Sequence, residues 1–401
     1  MPGLSVSAET LRCENGFDVI RAEVDGVSYV ADLKCAVGAP QLSPDDSSSP
    51  TTIASSSPNR INEVGSSYRG IPNFPRWTQS RAVDLVFDGV GDITGEGTES
   101  NPFVVSCENK AITLPLGQID VSGKYLSLVD CKFPDGRIRV GGSHIHIDNV
   151  HTSKVAKAGF SLAGDHIWIS NSSALGHWAQ GKDRHGFQAT CGSDHIVIVD
   201  SESSGNSGDG FQAGHRCRKN RVTNIFIGGM TCNANRENCL DVKYVDGVVF
   251  SGMNSTGHGA SGLGFESGSD GSSVIFGSDG DSRNAWLIDS TTDDPIGIRV
   301  EDGDGAVILG NNFSGRVSIA SQKHADPLDI RNNVSTSKVF IGKPDRVKNF
   351  CFNIQGNDYS GRIKVSRIGP KCFKKGKNTS IEDLEERFLQ SFGFPLSPPK
   401  P

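Results

Sequence analysis

The stretch GNSGDGFQAGH at residues 205–215 restates HGFQATCG, with Phe211 lying 24 residues beyond Phe187. This is one instance of a wider pattern. Between about residues 80 and 365, short β-branched runs recur: YLSLVDC, HIHIDNV, HIWISNS, HIVIVDS, NIFIGGM, GVVFSGM, SVIFGSD, AVILGNN and KVFIGK. Their starts lie roughly 20–33 residues apart, a period of repeat architectures. Most are followed by a turn and a second short strand, as in GFSLAG, HGFQATC, DGFQAGH, CLDVKYV, GLGFESG and GIRVEDG. A repeated unit that cannot bury its apolar face alone must stack on its neighbours, so the chain reads as a solenoid. The runs are too short and too β-branched for helical or leucine-rich repeats. They predict an all-β fold, a right-handed parallel β-helix with one coil per repeat.

Composition agrees with such a fold and narrows the partners. Glycine is abundant at 48 of 401 residues while aromatics are 7%, which suits many tight turns. The net charge is −6 and the basic residues are scattered, so nucleic acid is not an expected partner. No apolar run approaches the roughly 18 residues of a membrane span. The opening MPGLSVSAET lacks the basic and apolar parts of a signal peptide. The ten cysteines fall into neighbouring pairs, Cys13/Cys35, Cys107/Cys131, Cys191/Cys217, Cys232/Cys239 and Cys351/Cys372. An even count so spaced reads as a disulfide framework, and a secreted, monomeric protein is expected.

Four segments follow. Residues 1–40 predict a hairpin in which FDVIRAEV and VSYVADLK flank Asp25-Gly26, a pair favoured in two-residue turns. Residues 41–79 form a Ser/Pro-rich linker and 80–370 the β-helix. Within 371–401, SIEDLEERFLQSFG places Ile381, Leu384, Phe388 and Phe392 on one helical face after a capping Ser380, predicting a terminal helix.

In a parallel solenoid, equivalent positions stack about 4.8 Å apart. Aligning the second strands on their inward residue predicts a buried stack of Phe187, Phe211, Leu240, Phe265 and Ile298. Side chains alternate, so Gln188, Gln212, Asp241, Glu266 and Arg299 form an outward row, with Lys243 on the same face. His185, Asp209 and Asn238 stand at the turn entering each strand, and Glu237 precedes Asn238. Four oxygen-bearing side chains, Asp209, Glu237, Asn238 and Asp241, thus gather across two coils, a donor set that suits Ca²⁺. Turn geometry alone accounts for Asp209, but not for Asp241 in mid-strand.

The Asp-Gly-Phe coil followed by ENCLD resembles the calcium site of the family nine pectate lyases, which are parallel β-helix enzymes. The resemblance spans about three coils and implies a Ca²⁺ site at Asp209, Glu237, Asn238 and Asp241. It departs at GLGFESG, where Glu266 stands in place of the family's base lysine. Proton abstraction beside a uronate carboxylate needs a neutral Lys or an unpaired Arg, so Lys243 and Arg299 are the candidate bases.

The turn LGHWAQGKDRHG offers His177, Trp178, Lys182, Arg184 and His185, and the next coil adds His215, Arg216 and Arg218, a stacking and charge-pairing surface for a sugar acid. His144, His166 and His195 at strand starts read as ladder or turn residues. The expected activity is a Ca²⁺-assisted lyase on an acidic polysaccharide. A glycoside hydrolase using Asp241 and Glu266 as paired carboxylates, a uronate epimerase, a glycan-binding adhesin or tailspike-like fibre, and a ligand-free solenoid are the alternatives.

Overall fold

The computed structural model describes residues 75–79, 82–258, 271–278, 280, 282–294, 296–301, 306–319 and 333–336, together with the strand backbones 7–14, 17–24, 27–34, 303–304, 328–331, 339–341, 352–355, 358–359 and 363–365. The chain divides into two compact units, 1–55 and 56–401. In the first, Phe17–Val24 pairs antiparallel with Val27–Lys34, and Val24 faces Val27 across Asp25-Gly26. Ser7–Glu14 adds a third antiparallel strand beside Phe17–Val24. The segment expected to form a C-terminal helix, the Ser/Pro segment 41–66, and the pairs Cys13/Cys35 and Cys351/Cys372 each include residues outside those described.

The second unit is a parallel β-helix. Each full coil contributes one strand to each of three parallel sheets. The first sheet stacks Asp165–Ser170, Asp194–Val199, Val222–Gly228, Val245–Ser251 and Ser282–Ile288. The second stacks Ser173–Leu175, Glu202–Ser204, Thr231–Asn233, Asn254–Thr256 and Thr291–Asp293. The third stacks Arg137–Val140, Phe160–Leu162, Phe187–Ala189, Phe211–Ala213, Leu240–Val242, Ser272–Phe276 and Ile296–Val300. Among the described residues no helix is long and apolar enough to cross a membrane.

The sequence dictates this shape through its corners as much as its strands. The corner opening the first sheet repeats one left-handed backbone position along Tyr125, His144, His166, His195, Asn224, Gly247 and Asn284, with φ between 49° and 82° at every one. Most L-residues resist that conformation, which Asn, Asp, His and Gly tolerate best. Hence the polar residues at strand starts: they turn the chain and leave the interior to Ile, Val, Leu and Phe.

Ile167, Ile169, Ile196, Ile198, Ile225, Ile227 and the stacked Phe160, Phe187 and Phe211 are all at most 1% exposed. Each such side chain contributes roughly 1.5–3 kcal/mol by burial. A second apolar cluster lies on the other side of the first sheet, where Trp168, Val197, Phe226, Val249 and Trp286 join Trp77. Two disulfides staple neighbouring coils as expected, Cys107–Cys131 and Cys191–Cys217, with Cα separations of 4.8 and 5.0 Å that match the coil spacing. The third, Cys232–Cys239, closes a turn within one coil.

The turn from the second sheet to the third is held by a buried polar ladder. Asn206 Oδ1 accepts the His177 N–H, Asn235 Oδ1 accepts the Asn206 N–H, His258 Nδ1 accepts the Asn235 N–H, and Asp294 Oδ1 accepts the His258 N–H. Each rung satisfies a backbone donor that the turn leaves unpaired. This ladder fixes the entry to the third sheet, where the candidate residues stand.

One register differs from the expectation. Leu240 pairs with Val274, Asp241 with Ile275 and Val242 with Phe276. The next rung of the third sheet is therefore SSVIF, and the strand at Ser282–Ile288 continues the first sheet. Phe265 and Glu266 belong to 259–270, outside the described residues.

Candidate functional site

The third sheet and the turn before it build the site. Phe187, Phe211, Leu240, Val274 and Ile298 point inward, so the outward row reads Gln188, Gln212, Asp241, Ile275 and Arg299. Gln188 Nε2 donates to Gln212 Oε1 at 3.3 Å, continuing the repeat as a hydrogen-bonded ladder. The ladder then meets carboxylates.

Asp209 is fully buried and surrounded by donors. Its Oδ1 accepts the Asn238 backbone N–H at 3.1 Å and the Asn238 side-chain amide at 2.7 Å. Its Oδ2 accepts Gln212 Nε2 at 3.0 Å and lies 3.3 Å from His185 Nδ1. The Asp209 N–H donates to that same Nδ1 at 3.0 Å, so the imidazole proton belongs on Nε2. His185, expected at a substrate surface, is instead 6% exposed and props the Asp209 turn. Asn238 is equally committed, because its Oδ1 accepts the Ser272 N–H at 3.0 Å.

Glu237 and Asp241 complete the acidic group. The Glu237 carboxyl is pushed up to about 9, first by burial, then by the charges of Asp209, Asp183 and Asp241, with a hydrogen bond to Asp183 adding to the rise. Asp241 is 5% exposed and is pushed up to about 7 by burial and Asp209, against the pull of Lys243 and Ser278. Lys243 Nζ stands 3.3 Å from Asp241 Oδ2, and Ser278 Oγ donates to Asp241 Oδ1 at 2.7 Å. Four carboxylates therefore converge where the outward glutamines of the repeat give way.

Such a group needs a proton or a cation to offset its charge. Ligand atoms of His185, Asp209 and Glu237 lie within 4.8 Å of one another. With His185 Nδ1 occupied by the Asp209 N–H, the donors that fit a cation are the oxygens of Asp209 and Glu237, with Asp183 beside them. Hard oxygens of this kind suit Ca²⁺. In the sequence Asp183 is masked by the Lys, Arg and His of KDRHG, and an acid two residues before the His185 prop is the signal that marks it.

The other expected residues spread around this centre. Arg299 shares the row but sits two coils beyond Asp241, roughly 10 Å by coil spacing, with its Nε 2.8 Å from Glu301. Trp178 is 40% exposed beside the exposed Lys182, and Arg184 is half-buried with its Nε enclosed and without a partner. The turn carrying them is tied to the next coil, since Lys182 O accepts Ser207 Oγ and Arg184 O accepts the Gly208 N–H, each at 2.9 Å. His215, Arg216 and Arg218 are exposed. His177 is fully enclosed and pushed down to about 4 by burial, a neutral rung of the interior ladder and no surface group.

No family model and no curated protein sequence matches the chain. Among solved structures, 70% of it aligns with 86% of PfbA, a surface adhesin of Streptococcus pneumoniae, at a TM-score of 0.48 and 10% identity. The pectate lyase Pel9A aligns over 75% of this chain and 72% of its own, at a TM-score of 0.39 and 16% identity. The A-module of the Azotobacter vinelandii mannuronan C-5 epimerase AlgE4 aligns over 72% and 87%, at 0.39 and 14%. The parallel β-helix itself stands on the strand pairing described above.

Proposed function

We propose that the chain is a secreted, monomeric polysaccharide-modifying enzyme that cleaves a uronate-containing polymer by β-elimination. The observation that carries this reading is the convergence of Asp183, Asp209, Glu237 and Asp241 beside Lys243 on the outer side of the third sheet. A Ca²⁺ ion on the oxygens of Asp209 and Glu237 would neutralise the substrate carboxylate and favour loss of the neighbouring proton.

The chain's own residues supply the rest. Asp241, itself bonded by Ser278, pairs with the Lys243 side chain on the face where a sugar ring would lie, and the Lys243 Nζ takes the proton from the carbon beside the carboxylate. A nearby cation lowers the affinity of Nζ for its proton, as a base at neutral pH requires. The C–O bond to the leaving sugar then breaks as its oxygen takes a proton from water, leaving an unsaturated uronate. Trp178 offers a stacking platform, and the half-buried Arg184 on the same turn a positive charge for a carboxylate.

One observation favours a second reading. Glu237 is pushed up to about 9 and Asp241 only to about 7, which sets a held proton beside a more readily ionised carboxylate, the acid and base pairing of a glycoside hydrolase. Incubation with pectate, alginate, glucuronan and hyaluronan, with Ca²⁺ and with chelator, separates the two. Elimination yields ultraviolet-absorbing unsaturated ends that need the cation, whereas hydrolysis yields reducing ends without that absorbance. No product from any acidic glycan would sink both.

A further inference from the structure

A separate cluster lies at the corner that opens the first sheet. His144, His166 and His195 occupy one ladder position on consecutive coils. Their rings stack face to face, 4.6 Å between His144 and His166 and 4.5 Å between His166 and His195, with interplanar angles of 3° and 5°. Tyr125 lies 4.4 Å above His144, and the Trp77 ring meets the same imidazole edge-on at 5.7 Å.

Two rungs carry an acid immediately before the histidine, Asp165-His166 and Asp194-His195. The two acids are used differently. Asp194 Oδ1 accepts Thr223 Oγ1 at 2.6 Å and Asn224 Nδ2 at 2.8 Å from the next coil, while its Oδ2 lies 2.7 Å from His195 Nδ1. Asp165 Oδ2 lies 2.9 Å from His166 Nδ1, and its side chain is 48% exposed. His144 Nδ1 is enclosed and has no hydrogen-bond partner. Ligand atoms of His144, Asp165 and His166 all lie within 4.8 Å of one another.

Two imidazoles and a carboxylate are a donor set for a divalent transition metal of borderline softness, and a poor one for Ca²⁺. The 40% exposure of His166 leaves an entry path from solvent. We propose that His144, Asp165 and His166 form a second, surface metal site, distinct from the acidic group of the third sheet, that takes Zn²⁺, Ni²⁺ or Cu²⁺ with water completing the coordination. Coordination turns the two rings out of their stack so that their nitrogens converge on one ion, and the left-handed backbone keeps both histidines at the same corner. This site needs neither the lyase nor the hydrolase reading.

Calorimetric titration of the full chain with Zn²⁺ and Ni²⁺ tests it, using Glu237→Gln so that the acidic group does not compete. The expected result is saturable binding of one ion per chain. His166→Asn is the informative variant, because Asn224 occupies the same left-handed ladder position natively, so the fold tolerates it. It should weaken binding by about 100-fold, the upper range for disturbing a metal's protein environment. Cu²⁺ bound to the parent should show nitrogen couplings in its electron paramagnetic resonance spectrum, and these should diminish in His166→Asn. If His166→Asn fails to fold, Asp165→Asn is read in its place. Absence of saturable binding, or binding unchanged in the ligand variant, overturns the site.

Discussion

The Asp209 carboxylate accepts two hydrogen bonds from Asn238 on the next coil, 3.1 Å from its backbone N–H and 2.7 Å from its side-chain amide. This bond pair locks two rungs of the third sheet together at full burial. Removing one partner of a buried carboxylate leaves its desolvation uncompensated, at about 1–3 kcal/mol or more. Asn238→Ala should therefore lower the denaturant midpoint by that order, with an unchanged m-value. Asn238→Asp should destabilise the metal-free protein, by setting a second carboxylate against Asp209, and regain stability when Ca²⁺ is added. Thermal melts with and without the ion check both.

Glu237 gives a pH signature to cation binding. Its carboxyl sits at about 9 in the fold, against about 4.5 when unfolded, so the folded state holds the extra proton between these values. That contribution is full below the unfolded value and is lost as pH rises through the folded one. A bound cation replaces the proton. The rise in melting temperature produced by Ca²⁺ should thus be small at pH 5 and larger at pH 8, and Glu237→Gln should flatten the difference.

Acid should weaken the fold through its interior histidines. His146 and His177 are both pushed down to about 4 by burial, against an ordinary value near 6.5. A depressed value means stability that is complete above about pH 6.5 and is lost as pH falls toward 4, by about 3 kcal/mol for each group at the limit. His177→Asn copies the neighbouring rungs Asn206 and Asn235 and should reduce this acid sensitivity, as measured by denaturant midpoints between pH 7 and 4.

The corner ladder sorts substitutions by backbone conformation. At His195, with φ of 51°, Asn should be nearly neutral, while a β-branched Val should cost about 1–3 kcal/mol in strain. Paired thermal melts of His195→Asn and His195→Val test this, and equal melting temperatures would count against the corner account.

Much of this was legible in the sequence, for identifiable reasons. Phe187, Phe211 and Leu240 announce their stack because inward apolar and outward polar residues alternate on both sides of them. The alternation fails at the next rung. Ser272–Phe276 is buried along its whole length, so it carries no two-residue rhythm, and the Gly-Phe of GLGFESG imitated the missing unit better. The acidic centre was legible where Asp241 replaces an outward glutamine. Its hydrogen-bond roles were not: Asn238 reads as a ligand until its oxygen is seen accepting the Ser272 N–H, and His185 as a surface group until it is found beneath Asp209. Such assignments depend on which neighbour a side chain turns toward, and spacing does not encode that.

The proposed elimination rests on Lys243 beside the acidic group, and the most direct measurement compares the parent protein with Lys243→Ala. Both are incubated with acidic polysaccharides in Ca²⁺ while unsaturated ends are followed by absorbance, and calcium binding is measured separately by calorimetry. The account predicts that Lys243→Ala loses activity by at least about 10²-fold, the contribution of a positioned base, while its calcium binding persists. Unsaturated product formed at the parent rate by Lys243→Ala would contradict it.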